Sequence, residues 1–391
     1  MAFGIFQVYY SQHPLFAKHP NYIPTIGTLA TGISYLGVPF MNPIAHQYPL
    51  YHRHFVIFGW FLCIIGLVGA SFATSVWHLL VCQGAIYGIG SVVCNVPIMI
   101  MLNEWFERRR GLAYGIQFAS SGVSGVVLPF ILQPMLATYG FQTTLRGYAV
   151  ATAIISGPAL LVIRHRIPVS AHTAGSVTSK LREEFARLRT VLLHNRIVWL
   201  FSIPVLLQGL AFFLPNMFLP SYAAALGLPA SSGSLILALT AAAQVGGQIL
   251  LGHLSDKTSI YFPTTLSTTV SALGVFLLWG FGKTLAPLAV LAVVWGFFAN
   301  SYSVLWTKIA MELVSTPEDV MTLYGWFSFE RGIGNIVAGP IGAKMVKFDM
   351  IDFNAYAASG YFGIVIFTGI MLGISSCVTF AFHVNYRRNM A

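Results

Sequence analysis

Charge is what this sequence has least of. Only 8% of its 391 residues are Asp, Glu, Lys or Arg, against roughly 25% in a soluble domain. So few charges cannot cover the surface of a water-exposed fold, which excludes a soluble globular protein. Cysteine is also scarce. Cys63, Cys82, Cys94 and Cys377 all fall in apolar runs, with no CxxC pair and no zinc spacing. They read as packing residues rather than as a disulfide or metal framework. No Asn-x-Ser/Thr sequon occurs. No signal peptide precedes the first apolar segment, which is normal where a transmembrane helix does the targeting. The formal net charge is +10. In a soluble chain this would suggest nucleic acid; here the positions of the cations carry the information, and no nucleic-acid partner is read.

What the chain does have is long apolar runs, on a composition 56% hydrophobic. A helix needs about 20 mostly apolar residues to cross a bilayer. Such runs lie near 23–44, 55–75, 77–102, 111–135, 143–163, 197–219, 231–252, 262–281, 285–307, 323–346 and 360–382. Before them, "MAFGIFQVYY" is apolar but only about 15 Å long as a helix, too short to span. It reads as the second half of a further helix. The connections alternate in charge. Lys18, Arg146, Lys283, Lys344 and Lys347 fall on one set; fifteen other cations, from Arg53 to Arg388, fall on the other set and the C-terminus. The richer set belongs in the cytoplasm, so the C-terminus is read as cytoplasmic. An N-terminus on the same side requires an even number of spans, so the first span is expected to be cut short.

The expected fold is therefore an all-α membrane protein of about 11.5 spans in two six-helix halves. The halves are 1–163, with its first helix incomplete, and 197–391. Between them, 164–196 is the longest polar stretch. Within it "SKLREEFARLRTVLL" sets Leu181, Phe185, Leu188 and Leu192 on one helical face, an amphipathic helix for the inner membrane surface or else a flexible linker. Six plus six around a basic central loop is the plan of transporters whose halves rock around a midplane site.

Two cytoplasmic loops carry motifs. "GHLSDKTS" follows the eighth span with Asp256 and Lys257 at the helix ends. "NEWFERRRGLAYGIQFASSGVSG" places Glu104, Glu107 and the run Arg108, Arg109, Arg110 at a cytoplasmic helix end. Behind them Gly111, Gly115 and Ala119 form a small stripe suited to close helix packing. The first loop resembles the G-x-L-x-D-[RK] loop of the major facilitator superfamily, in which the acid helps hold the halves in one state. The second resembles that superfamily's monocarboxylate-porter branch. "FGIFQVYY", "YGFQTTLRGYAV", "LPSYAAALGLP", "GQILLGHLSDK" and "RGIGNIVAGPI" resemble its fungal members. The resemblance spans positions 3 to 341. It implies twelve helices, alternating access and transport of organic acids or similar small molecules. Fungal relatives of this kind also export secondary metabolites. Arg108, Arg109, Arg110, Asp256 and Lys257 are then the candidate gating groups. The first-half loop "NPIAHQYPLYHRH" lacks the acid of the pattern, and "ALTAAAQVGGQILLG" has Gln244 and Gln248 where animal relatives carry a charged pair. Those relatives' proton-coupling chemistry is therefore not carried over.

Catalytic readings fail on spacing. "GFGKT" lacks the earlier glycine of a phosphate-binding loop, since position 277 is Leu, and "GIGN" has Val337 at the last glycine of G-x-G-x-x-G. His46, His52 and His54 read as a solvated loop rather than a metal site. No enzyme, cofactor or metal is expected.

One stretch stands apart: "FSFERGIGNIVAGPIG", Phe327 to Gly342, puts Glu330 and Arg331 side by side inside a span. Charges in the bilayer core cost about 2.5–3.5 kcal/mol on insertion scales and usually face a cavity or a partner. Successive helix positions point about 100° apart, so the two do not stack. Arg331 shares a face with Asn335 and Ser328; Gly334, Ala338 and Gly342 form a packing stripe. Arg331 and Asn335 are candidates for binding an anionic group, against a structural role in neutralising Glu330 or capping a broken helix. Glu330 is the candidate coupling residue, with protons as the candidate ion. Asn95, Gln117, Gln208, Asn216, Gln244, Gln248, Asn300 and Tyr302 are polar within spans, each read singly as an interhelical bond before a ligand. Phe212, Phe213, Trp295, Trp306 and Trp326 read as lipid-facing before pocket-forming. The reading is a monomeric, multi-pass secondary transporter of a small organic acid or acidic metabolite in the plasma or a vacuolar membrane. Export of a secondary metabolite is the alternative within transport. A non-transporting receptor or inactive relative is the alternative of another class.

Overall fold

The computed structural model describes residues 3–16, 22–106, 109–166, 177–194, 196–314, 316–347 and 356–390, and among them all regular structure is helical. The short α1 (Phe3–Gln12) is followed by α2 (Ile23–Leu36) and α3 (Val38–Gln47). These two make one apolar run interrupted at Gly37: Pro39 has no N–H to donate back to Tyr35, so the helical ladder breaks there. Next come α4 (His52–Ala70) and α5 (Val76–Trp105), the latter with a widened π-type stretch at Leu80–Ile86.

Helix α6 (Arg110–Val162) has 53 residues, roughly 80 Å if straight and far more than one bilayer. It turns at Gly140, where φ is 73° and ψ 174°. Only glycine adopts that backbone without strain. The two spans expected at 111–135 and 143–163 are thus both present, joined without a loop. Then follow α7 (Val177–His194), α8 (Arg196–Ala225), α9 (Ala230–Lys257), α10 (Tyr261–Trp279), α11 (Leu285–Leu313), α12 (Pro317–Lys347) and α13 (Phe362–Met390).

Among the described residues eight helical stretches are long and apolar enough to cross a membrane. The eleven runs read from the sequence reduce to these for local reasons. The Gly37 break shortens α2 and α3, α6 counts once although it holds two spans, and α12 carries charges and glycines through its middle.

The helices group into two compact units, residues 1–107 with 127–188 and residues 108–126 with 189–391. Chain order assigns 108–126 to the first half, but those residues pack with the second unit. The cause is the predicted small stripe. A Cβ on Gly115 would lie 2.5 Å from the Gln248 carbonyl of α9, and one on Gly111 would strike the Gly252 carbonyl. Ala119 is buried on the same face.

The first unit is built on interlocked aromatic rings. Phe16 meets Tyr10 and Phe141 edge-on, with centroids 5.2 and 5.3 Å apart, and the Tyr10 hydroxyl donates to Gln83 Oε1 at 3.2 Å. Helix α7 has Leu188 buried and Phe185 against the ring of Phe40 at 5.9 Å. The second unit's core holds Tyr222, Trp279, Leu288 and Trp295. Trp295 and Trp306 are fully buried, so the lipid-facing expectation is corrected for both; they fill the interior around an irregular helical stretch that no apolar run reveals.

Candidate functional site

The charged helix α12 crosses α8 at two glycines. A Cβ on Gly334 would fall within the backbone of Gly209, so the helices meet at backbone distance and the side chains flanking the crossing interdigitate. Above and below it, α8 contributes Ser202, Gln208 and Phe212.

Arg331 is 1% exposed. One guanidinium nitrogen donates to Gln208 Oε1, and the guanidinium carbon lies 3.4 Å from the centroid of Phe212 and 5.8 Å from that of Trp306. The amide orients the fork and the ring face attracts the cation; neither carries a negative charge. The Gln208 Nε2 donates to the Ala299 carbonyl at 3.0 Å. That carbonyl sits where α11 changes from a π-type stretch, Trp295–Ala299, to a turn and then a single 3-10 turn, Tyr302–Val304. The chain stays right-handed helical there, but its turns are irregular. Gln208 satisfies the Ala299 carbonyl at this irregular stretch, and Ser301 Oγ adds bonds to the Gln244 and Gly296 carbonyls.

A chain of amides leads on from this stretch. Asn216 Nδ2 donates to Asn300 Oδ1 at 3.2 Å, Asn300 Nδ2 to Gln244 Oε1 at 3.4 Å, and Gln244 Nε2 to Ser121 Oγ at 3.2 Å. Four helices, α8, α11, α9 and α6, are thereby tied through one polar thread. The Tyr302 hydroxyl is fully buried within electrostatic reach of Arg331 and Glu330.

Glu330 turns elsewhere, as the helical angle requires. Its Oε1 accepts from Ser202 Oγ, and Ser202 Oγ accepts from Trp326 Nε1 at 2.8 Å. Trp326 in turn packs edge-on against Trp199 at 6.5 Å, and Trp199 Nε1 donates to the Leu192 carbonyl at 2.8 Å. Glu330 Oε2, Tyr302 Oη and both polar atoms of Asn335 are among the buried polar atoms here that have no hydrogen-bond partner among the described residues.

Arg331, Gln244 and Asn216 thus belong to one neighbourhood around the irregular turns of α11. Asn335 is fully buried one turn along α12. Gln248 is buried at the crossing of α9 with Gly115. Gln208 was read as a single polar group, yet it joins the arginine to those turns; its four-residue distance from Phe212 was the available signal. Asn95 bonds only within its own helix, to Ser91.

At the expected gating end, Asp256 Oδ1 accepts from the Gly111 N–H and Oδ2 from the Leu112 N–H, both at 3.0 Å. The carboxylate thus caps the N-terminus of α6, where orphan donors and the helix dipole both favour an anion. Arg110 reaches Met311 Sδ at 3.8 Å, while Arg109 and Lys257 are exposed. Arg108 lies outside the described residues. In the first unit, Glu104 pairs with His165 Nδ1 at 3.0 Å, and the His165 ring lies 4.9 Å from that of His52. His52 is buried and bonded to the Ala45 carbonyl at 2.8 Å. The solvated-loop reading is corrected for this histidine, because the turn at Pro49–Tyr51 drops it into the first turn of α4.

Apolar helices around a buried, partly charged polar network and a span with irregular turns define a multi-pass membrane protein with a polar interior site. The chain belongs to the major facilitator superfamily, whose family model matches residues 1–339. Among similar proteins, an MFS-type transporter of Gibberella moniliformis is 23% identical over 95% of this chain and 84% of its own length. Monocarboxylate transporter 11 of Homo sapiens is 25% identical over 90% and 75%. The aspyridones efflux protein apdF of Emericella nidulans is 23% identical over 96% and 74%. A crystal structure of the nucleoside transporter NupG covers 98% of this chain and 96% of its own, with TM-score 0.58 and 16% identity, a likeness of fold.

Proposed function

We propose that the protein is a secondary active transporter moving a small organic acid, or a related acidic metabolite, across a membrane by alternating access, with Arg331 as the contact for the anionic group. The observation that carries this is the fully buried Arg331, oriented by Gln208 and Phe212 beside the irregular turns of α11. A guanidinium holds its charge at any physiological pH and presents a planar fork matched to a carboxylate. Irregular helix turns beside buried charge and buried amides also suit a substrate site within a secondary transporter. Asn335, Gln244 and Asn216 supply further hydrogen bonds, and the gating role falls to Asp256 on the N-terminus of α6.

Flux of radiolabelled acetate, lactate and benzoate into vesicles reconstituted with the full chain tests the reading. We expect Arg331→Ala to reduce flux of the transported acid by about tenfold or more, the loss of one charge-assisted bond. Undiminished flux in well-folded Arg331→Ala would sink the assignment of Arg331; binding without flux would make the protein a receptor. A second reading, export of a larger secondary metabolite, is supported by the efflux protein among the relatives and by the aromatic rings of Phe212 and Trp306 at the site.

A further inference from the structure

We propose that the rim of the first unit read as cytoplasmic holds a site for an anionic phospholipid, in which Arg53 and Arg164 take the headgroup phosphate and Tyr48, Leu50 and Tyr51 enter the interfacial layer of the membrane. The starting point is the loop "NPIAHQYPLYHRH", which joins the runs at 23–44 and 55–75 and has no acidic residue. The turn within it, Pro49–Tyr51, points large side chains away from the unit: Tyr48 is exposed, and Leu50 and Tyr51 are each 53% exposed. The Tyr51 ring lies 6.2 Å from that of Tyr48 and 5.5 Å from that of His54, so these groups form one cluster. An exposed apolar cluster marks a contact surface. Tyrosine rings with a polar tip suit the boundary between headgroups and acyl chains, where one end is wet and the other apolar.

Buried contacts join this turn to a second exposed stretch, 164–166. His52 stacks on His165. His165 Nδ1 and the Arg166 N–H both bind the Glu104 carboxylate, and the Arg166 guanidinium donates to the Glu104 carbonyl at 2.9 Å. Trp105 Nε1 donates to the Arg164 carbonyl at 3.1 Å and fixes the stretch from the other side. Residues 1–163 contain two acids, Glu104 and Glu107. The first is consumed by His165 and Arg166, and the second lies outside the described residues. Arg53 and Arg164 each adjoin one of the stacked histidines in sequence, are exposed, and pair with no carboxylate among the described residues. Two guanidiniums thus stand beside an aromatic cluster. Their planar forks match phosphate oxygens, and the anionic inner leaflet attracts such cations. An acid in this loop would repel the phosphate, so the departure from the G-x-L-x-D-[RK] pattern and the exposed cations favour the same partner. A lipid bound here would fasten the inner ends of α4 and α5 to the stretch that follows α6.

The test is thermal unfolding of the full chain in an uncharged detergent with phosphatidylserine, phosphatidylcholine or inorganic phosphate added. We expect saturating phosphatidylserine to raise Tm by about two to four degrees, and the other two at the same concentration to leave it unchanged. Arg53→Gln with Arg164→Gln should keep the lipid-free Tm, since both side chains are exposed, and lose most of the phosphatidylserine shift. Leu50→Ser with Tyr51→Ser should raise the lipid concentration needed for half the shift by about threefold or more. Arg109→Gln with Lys257→Gln removes the same charge from exposed positions of the second unit and should retain the shift. A full shift in the Arg53 and Arg164 variant, or in the Leu50 and Tyr51 variant, overturns the site. An equal loss in the Arg109 and Lys257 variant overturns it too, by showing attraction to net charge alone. Equal shifts with phosphatidylcholine would mean apolar contact without headgroup recognition, and a shift with inorganic phosphate would mean a free-anion site; either result overturns the assignment to an anionic lipid.

Discussion

At the residue scale, Gln208 illustrates how one neutral side chain can carry a site. Its oxygen orients Arg331 and its nitrogen donates to the Ala299 carbonyl at the irregular turns of α11. Replacing it by Leu leaves a buried carbonyl and a guanidinium nitrogen without that partner, at a cost of about 1–3 kcal/mol for each buried group orphaned. We expect Gln208→Leu to unfold at lower temperature in a thermal-shift measurement in detergent and to lose flux. Gln208→Glu separates the two effects. A carboxylate there gives Arg331 an internal anion but removes the donor to the Ala299 carbonyl, so stability should fall less than in Gln208→Leu while flux of the transported acid falls as far. Equal losses of both would show that Gln208 acts only as packing. The oddity of Glu330 and Arg331 was plain in the sequence because charge is so rare there. Their different partners were not, since Ser202 and Gln208 lie over 120 positions away.

At the element scale, glycines decide which helices meet. Gly334 lies on Gly209, and Gly111 and Gly115 lie on α9. The stripes were legible as small residues at four-residue spacing; which helix each would meet was not. The α6–α9 contact also gives Asp256 its role, because close approach brings the carboxylate onto the first N–H groups of α6. We expect Asp256→Asn, which keeps the shape but loses the charge and one of the two acceptors, to cost about 1 kcal/mol. Tm should fall by roughly one to three degrees, with a smaller fall in high salt. An unchanged Tm would mean that the cap adds nothing to stability. The irregularity of α11 was invisible as a pattern, since "WGFFANSYSVLW" contains no proline and reads as regular helix. Bonds from Gln208 and Ser301 satisfy backbone groups near the irregular turns; those to Ala299 and Gln244 are tertiary contacts, and only that to Gly296 is local.

At the scale of the whole molecule, the distribution of cations, fifteen on one set of connections and five on the other, is the basis for an expected orientation. We expect a reporter fused to the C-terminus to lie on the cytoplasmic side, checked by its accessibility in intact cells against permeabilised ones; labelling in intact cells would reverse the assignment. The two compact units do not follow chain order, because residues 108–126 leave the first half and join the second unit.

Composition alone determined that this chain is helical and lives in a bilayer, since so little charge and such long apolar runs allow no other fold. The positions of its few charges marked α12 as the helix to watch. Which groups surround those charges was decided by tertiary structure. In a membrane the backbone is satisfied within each helix, so a helix's own sequence sets its existence, while its neighbours are chosen by glycine contacts and scattered amides that carry no periodic signal. For that reason Arg331 was found from the sequence, and the contacts of Gln208 and Ser202 and the irregular turns of α11 only from the fold.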